Sequence, residues 1–233
     1  EKRRLEATLV QSEKLAAVGQ LAAGVAHEIN NPLTAIIANA QLLKRIVPED
    51  EEMLEMLDLI STAGDRASQV VRNLLDFSRK EHYDFAPTNI NDTISKTIAL
   101  VQHELLSRSI ELTFDPEENL PTVLASYDHL QGVWLNLLLN AVDAIDADVG
   151  KICVVTKKHG SEIRVTILDT GKGIPQERIS RIFEPFYTTK EPGRGTGLGL
   201  SVCHRTIKQH GGHILVDSQI GSGTEFTVIL PVS

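Results

Sequence analysis

KICVVTKKHGSEIRVTILDTGKG, residues 151–173, is the stretch on which the fold turns. Residues 151–157 and 163–169 are runs rich in Val, Ile and Thr bounded by turn residues, which reads as two strands. Asp169 ends the second run, and Thr170-Gly171-Lys172-Gly173 leads out of it as a loop. Working outward, residues 110–114 (IELTF), 213–218 (HILVDS) and 224–231 (TEFTVILP) add three strand candidates. The alternation Glu225, Phe226, Thr227, Val228 suits a sheet with one solvated face. Helical periodicity covers about 90–107, 127–146 and 197–210. The expected fold class is α+β, with residues 89–233 forming an α/β sandwich whose helices cover one face of the sheet.

Residues 1–80 differ, because they show no strand-like alternation. Leu15, Val18, Ala22, Val25, Ile29, then Ile36, Ala40, Leu43 and Val47 make a heptad-like stripe on one helix. Val47-Pro48-Glu49-Asp50 breaks it, and Met53, Leu57, Ile60, Gly64, Ala67, Val71 and Leu74 form a second stripe. One antiparallel hairpin buries two such stripes poorly. A homodimeric four-helix bundle is therefore expected, with residues 81–88 as a linker running into a short strand. Leu5 and Leu9 extend the first stripe back toward residue 1, so the expectation is a longer helix with a sensor domain upstream.

Charge and composition narrow the function classes. Lys and Arg total 23 against 31 Asp and Glu, and a net charge of −8 argues against nucleic acid as a partner. No apolar run reaches the roughly 20 residues of a membrane span. Cys153 and Cys203 fall inside a strand and a helix pattern, which suits a reducing compartment. A cytoplasmic location is expected, or the cytoplasmic part of a membrane-anchored sensor.

Two places carry chemistry. His27 lies two residues from both Val25 and Ile29, about 200° from the apolar stripe, so it faces outward. Glu28 is its neighbour and Asn31 lies one turn on, while Pro32 interrupts the helix at a cost of roughly 3 kcal/mol. An exposed neutral imidazole is a nucleophile or a metal ligand, and no second His or Cys lies one turn away to complete a metal site. Glu28 is placed to take a proton from one ring nitrogen, and Asn31 to position a water. The second place is the loop that starts at Asp169. A carboxylate at a strand end with Gly171 and Gly173 behind it suits an acceptor aimed at a base edge. Gly195, Gly197 and Gly199 precede a helix, whose N–H groups and positive end suit phosphates. Asn136 and Asn140, four apart on a helix, project from one face, and an amide oxygen there suits Mg²⁺. Lys190 sits in a segment between Phe186 and Gly195 that reads as a mobile lid.

These residues resemble, in order along nearly the whole chain, the sensor histidine kinases of two-component systems. His27-Glu28-Ile29-Asn30-Asn31-Pro32-Leu33 is similar to their H box and Asn136–Asn140 to their N box. Asp169–Gly173 resembles the first glycine box, Phe183-Glu184-Pro185-Phe186 the F box, Gly195–Leu200 the second glycine box, and Gly221–Thr224 the closing glycine turn. The resemblance implies a dimerisation and histidine-phosphotransfer hairpin over 1–80 and an ATP-binding domain of the gyrase and MutL kind over 89–233. By that analogy His27 takes the γ-phosphate of Mg·ATP and passes it to an aspartate on a response-regulator receiver domain. Asp169 then binds the adenine amino group, Asn140 the Mg²⁺, Asn136 the phosphate side, and Lys190 the terminal phosphates. Gly195, Gly197 and Gly199 wrap the triphosphate. Glu28 assists phosphorylation, and Asn31 occupies a position linked to dephosphorylating the regulator. Two other classes compete: an ATP-driven clamp with no phosphohistidine, and a scaffold without catalysis. Trp134, Phe183 and Cys203 are expected to be packing residues, from the apolar periodicity around them.

Overall fold

The computed structural model describes residues 29, 32–46, 51–61, 63–64, 83–146, 150–190 and 196–232. The chain divides into two compact units, Glu1–Glu81 and His82–Ser233.

In the first unit, helices α1 (32–46) and α2 (51–61) carry the middle of the two apolar stripes. Lys44 pairs with Asp58, and a Cβ on Gly64 would stand 2.6 Å from Ile37 Cγ1. Pairs 44–58 and 37–64 share nearly one sum, so the helices run antiparallel. Gly64 is what lets Ile37 come that close. Ala40 and Leu57 are buried, whereas Ile36, Leu43, Met53 and Ile60 of the same stripes are exposed. The break at 47–50 and the ends of both stripes lie outside the described residues.

The second unit begins with a two-stranded antiparallel sheet, β1 (Ala86–Thr88) on β3 (Val123–Ala125). Its main sheet has the order β2-β4-β5-β7-β6, with β2 (Ile110–Pro116), β4 (Gly150–His159), β5 (Glu162–Asp169), β6 (His213–Gln219) and β7 (Gly223–Pro231). Only the β2–β4 pair is parallel. Gly160, at φ +63, and Ser161 close the β4–β5 hairpin between His159 and Glu162, a two-residue turn that needs glycine first.

Three helices supply the other layer. In α3 (Ile90–Ser107) the side chain of Asn89 caps Asp92 N, and Ile90, Ile94, Thr97, Val101 and Leu105 face inward at helical spacing. In α4 (Tyr127–Ala144) Leu130, Val133, Trp134, Leu137, Leu138, Ala141 and Val142 do the same. They pack with Ile152 and Val154 of β4, Ile163, Val165 and Ile167 of β5, Phe226 and Val228 of β7, and Ile207 of α6 (Gly199–Gln209) in one core. Trp134 is fully buried and its indole N–H donates to Thr93 Oγ1 at 2.9 Å. Phe183 packs against the core, and burial pushes the Cys203 thiol up to about 12, so both are packing residues as expected. Among the described residues no helix is long and apolar enough to cross a membrane.

The structure corrects two helix boundaries and adds two short elements. The last helix starts at Gly199 rather than 197, because Gly197 has φ +66. Helix α4 stops at Ala144, where Ile145 turns to an extended ψ of 106. Strand β3 and the short helix α5 (Gln176–Ile179) were not expected, being too short to show a period.

Candidate functional site

Asp169 ends β5, which pairs with β4 on one side and β7 on the other. The residue is 3% exposed. Its Oδ1 accepts two backbone N–H groups, Gly171 N at 2.8 Å and Thr224 N at 3.2 Å. Among the described residues Oδ2 accepts none, so one oxygen is fixed by the fold and the other is presented. Burial pushes the carboxyl up from its ordinary value, against the opposing pull of the two N–H groups.

The backbone around this carboxylate is packed to contact. A Cβ on Gly223, at φ +97, would fall 1.8 Å from Asp169 O. At Gly173 it would meet Gln219 O at 2.1 Å and at Gly171 Ala144 O at 2.5 Å. Ser218 Oγ accepts from Ile174 N and donates to Gly223 O, locking the loop to the β6–β7 turn. Lys172 N donates to Ala144 O at 2.9 Å, tying the same loop to the end of α4. Gly171 and Gly173 thus act by admitting neighbouring backbone.

Helix α4 carries the second group. Asn136 Nδ2 donates to Gly132 O, and its Oδ1 lies 2.9 Å from where a Cβ on Gly199 would be. Asn136 therefore abuts the first residue of α6. The first N–H groups of any helix lack an intrahelical acceptor and face outward along its axis. Thr196 Oγ1 accepts from Leu198 N at 3.2 Å, just ahead of that helix. Gly197 O accepts from Phe186 N at 3.0 Å, and Phe186 itself holds φ +66.

One turn along α4, Lys190 Nζ lies 3.4 Å from Asn140 Oδ1 and 2.5 Å from Asp143 Oδ2. Asp143 Oδ1 in turn lies 3.7 Å from an Arg108 guanidinium nitrogen. An amide oxygen and a carboxylate oxygen around one cation are hard donors of the kind Mg²⁺ takes, so these residues fit that ion. Among the described residues no group of three or more His, Cys, Asp or Glu can hold a metal, so further oxygens would come from a ligand.

The structure thus brings Asn140 to Lys190, Asn136 to Gly199, and Asp169 to Gly171, with the Lys172–Ala144 bond joining loop and helix. His27, Glu28, Asn31 and Gly195 lie outside the described residues. Sequence reasoning missed Asp143, although it stands three residues after Asn140 on the same helix face. It also missed Arg108, which carried no signal, and read Thr224 only as the end of a glycine turn, since both roles depend on chain reversals.

A mixed sheet packed against α3, α4 and α6, with a buried strand-end carboxylate and an amide pair on α4, is an arrangement suited to a nucleotide. Residues 125–233 match the family model described as histidine kinase-, DNA gyrase B-, and HSP90-like ATPase, and residues 17–83 match the His Kinase A (phospho-acceptor) domain. The sensor histidine kinase ZraS of Escherichia coli (strain K12) is 39% identical over 229 residues, 98% of this chain and 49% of its own. The crystal structure of full-length ShkA in complex with AMPPNP superposes with a TM-score of 0.77 at 27% identity, covering 91% of this chain and 45% of that one. The catalytic domain of histidine kinase ThkA is 32% identical with a TM-score of 0.58, covering 64% of this chain and 95% of that one. ThkA in complex with the response regulator protein TrrA gives a TM-score of 0.69 at 28% identity, covering 99% and 66%. The chain belongs to the sensor histidine kinase family. It spans about half the length of the curated relatives it matches.

Proposed function

We propose that this chain is the catalytic core of an ATP-dependent protein-histidine kinase that phosphorylates His27 and passes the phosphoryl group to an aspartate of a response regulator. The observation that carries the reading is Asp169, buried, with one oxygen held by two backbone N–H groups and the other free to accept. That geometry recognises an exocyclic amino group, which adenine has and hypoxanthine lacks. Asn136, Gly197, Gly199 and the start of α6 would take the phosphates, as would Gly195. Asn140, with Asp143, would hold Mg²⁺, and Lys190 the terminal phosphates. Bound Mg²⁺ would neutralise charge on the β- and γ-phosphates.

In the reaction a ring nitrogen of His27 attacks the γ-phosphorus, the bond to the β,γ-bridging oxygen breaks, and ADP leaves. Glu28 takes the proton from the other ring nitrogen. In the second step a carboxylate of the regulator attacks the phosphorus and the P–N bond breaks, while Glu28 returns its proton to the ring, so that an acyl phosphate forms and neutral His27 is regenerated. Asn31 would orient a water against that acyl phosphate, which would make the chain a phosphatase of its regulator as well. The complex of ThkA with TrrA supports a receiver domain as partner. Ile36, Leu43, Met53 and Ile60, exposed on the described hairpin, support a homodimer in which a second copy covers them. A sensor domain upstream fits the half-length coverage of the relatives.

The test is incubation with γ-labelled Mg·ATP beside His27→Gln. Acid-labile, base-stable label present only with His27 is the expected result. ATP binding with no label in either protein would refute the kinase reading and favour the clamp.

A further inference from the structure

Lys190 is expected to face phosphate, yet its ammonium has oxygen partners within the chain, and they are the ones a metal would need. It lies 2.5 Å from Asp143 Oδ2 and 3.4 Å from Asn140 Oδ1. The two oxygens are set one turn apart on α4, whose inner face is fully buried, so their spacing is rigid. Asp143's other oxygen faces Arg108 at 3.7 Å. Arg108 is itself paired with Glu104 at 2.9 Å, so Lys190 is the cation seated directly on the Asn140 and Asp143 oxygens. A divalent ion entering the cluster meets the ammonium, and its place beside Asn140 Oδ1 and Asp143 Oδ2 is filled.

We infer that Lys190 is an internal counter-cation that bars free Mg²⁺ from the Asn140–Asp143 oxygens until a nucleotide draws the ammonium onto its phosphates. Metal loading is then conditional on nucleotide. The triphosphate supplies both the anionic partner that Lys190 needs after leaving Asp143 and the extra oxygens that two protein donors cannot provide. The inference rests on the ATP reading above, and it makes Lys190 a positioning residue with a role before phosphate binding. With Lys190 and Asp143 each about one-third exposed, water screens the pair and the barrier is moderate.

The experiment is Mn²⁺ binding by electron paramagnetic resonance, without nucleotide and at low ionic strength. It compares the wild type with Lys190→Met, Lys190→Arg and the double variant Lys190→Met/Asp143→Asn. The methionine variant, equal in reach and uncharged, is expected to bind Mn²⁺ about tenfold more tightly than wild type. The arginine variant should match wild type, and the double variant should fall back to it. Equal Mn²⁺ affinity in wild type and Lys190→Met overturns the inference, as does tightening that survives in the double variant. Melting temperatures confirm that each variant is folded. Binding of a fluorescent ATP analogue to the wild type is measured separately: its absence refutes the ATP reading, whereas flat Mn²⁺ affinities beside normal nucleotide binding refute the counter-cation alone.

Discussion

Asp169→Asn separates fold from recognition at a single atom. The fold uses Oδ1, which accepts from Gly171 N and Thr224 N. An asparagine can keep both bonds through its amide oxygen. Ionisation of the wild-type carboxyl is penalised by burial, so its folded value lies above the ordinary one. Between those two values the native state holds a proton that the unfolded chain has released, so this group lowers stability as pH rises through that window. The variant removes the penalty, and its melting temperature at neutral pH should equal or exceed that of wild type. Recognition uses Oδ2, which becomes an NH₂ group and faces the adenine amino group donor to donor. A hydrogen bond to a charged acceptor contributes about 1.5–3 kcal/mol, and its loss corresponds to roughly 10- to 150-fold in affinity. The assay pairs a thermal melt with titration of a fluorescent ATP analogue. Affinity within threefold of wild type, in a variant that melts normally, would refute the assignment of Asp169 to the base. The wild type should also lose nucleotide affinity on acidification, with a midpoint above the ordinary aspartate value of 3.8.

Other consequences follow from packing and titration. Gly223→Ala places its Cβ 1.8 Å from Asp169 O with backbone on both sides, whereas Gly160→Ala meets nothing within 4 Å. Chemical denaturation should show a loss above ~2 kcal/mol for the first and about 1 kcal/mol for the second, whose positive φ alone is unfavourable. Trp134→Phe gives up the buried bond to Thr93 Oγ1, and a loss of about 2 kcal/mol should appear as a melting shift of roughly 4–8 °C. His210 Nε2 accepts Ser126 N at 3.0 Å while Nδ1 meets Thr206 O at 2.7 Å, so the folded ring is neutral. Burial, aided by nearby His129, pushes its value below 6.5 against the opposing effect of Thr206 O. Below 6.5 the unfolded state therefore binds more protons, and stability falls with falling pH. Melts between about pH 7.5 and 5.5 should slope less for His210→Gln than for wild type, and equal slopes would refute the assignment.

The sequence by itself determined the longer elements of the second unit and their order. Val-, Ile- and Thr-rich runs at 151–157 and 163–169 and period-3.6 runs at 90–107 and 127–146 are local signals, and each became the expected strand or helix within a few residues. Asp169, Gly171 and Gly173 were legible as a site because glycines beside a strand-end carboxylate break the strand pattern. Asn136 and Asn140 were legible because i and i+4 share a helix face in any helix. What tertiary structure decided is which atoms meet. The role of Thr224 N at Asp169 depends on β7 pairing with β5, 55 residues apart in the chain. Likewise the pairing of Lys190 with Asp143 joins a loop to a helix 47 residues away. Spacing along a chain carries no information about such closures, since they follow from which surfaces the core brings together. For the same reason a lysine that sequence assigns only to phosphate emerges as the partner of the oxygens assigned to the metal.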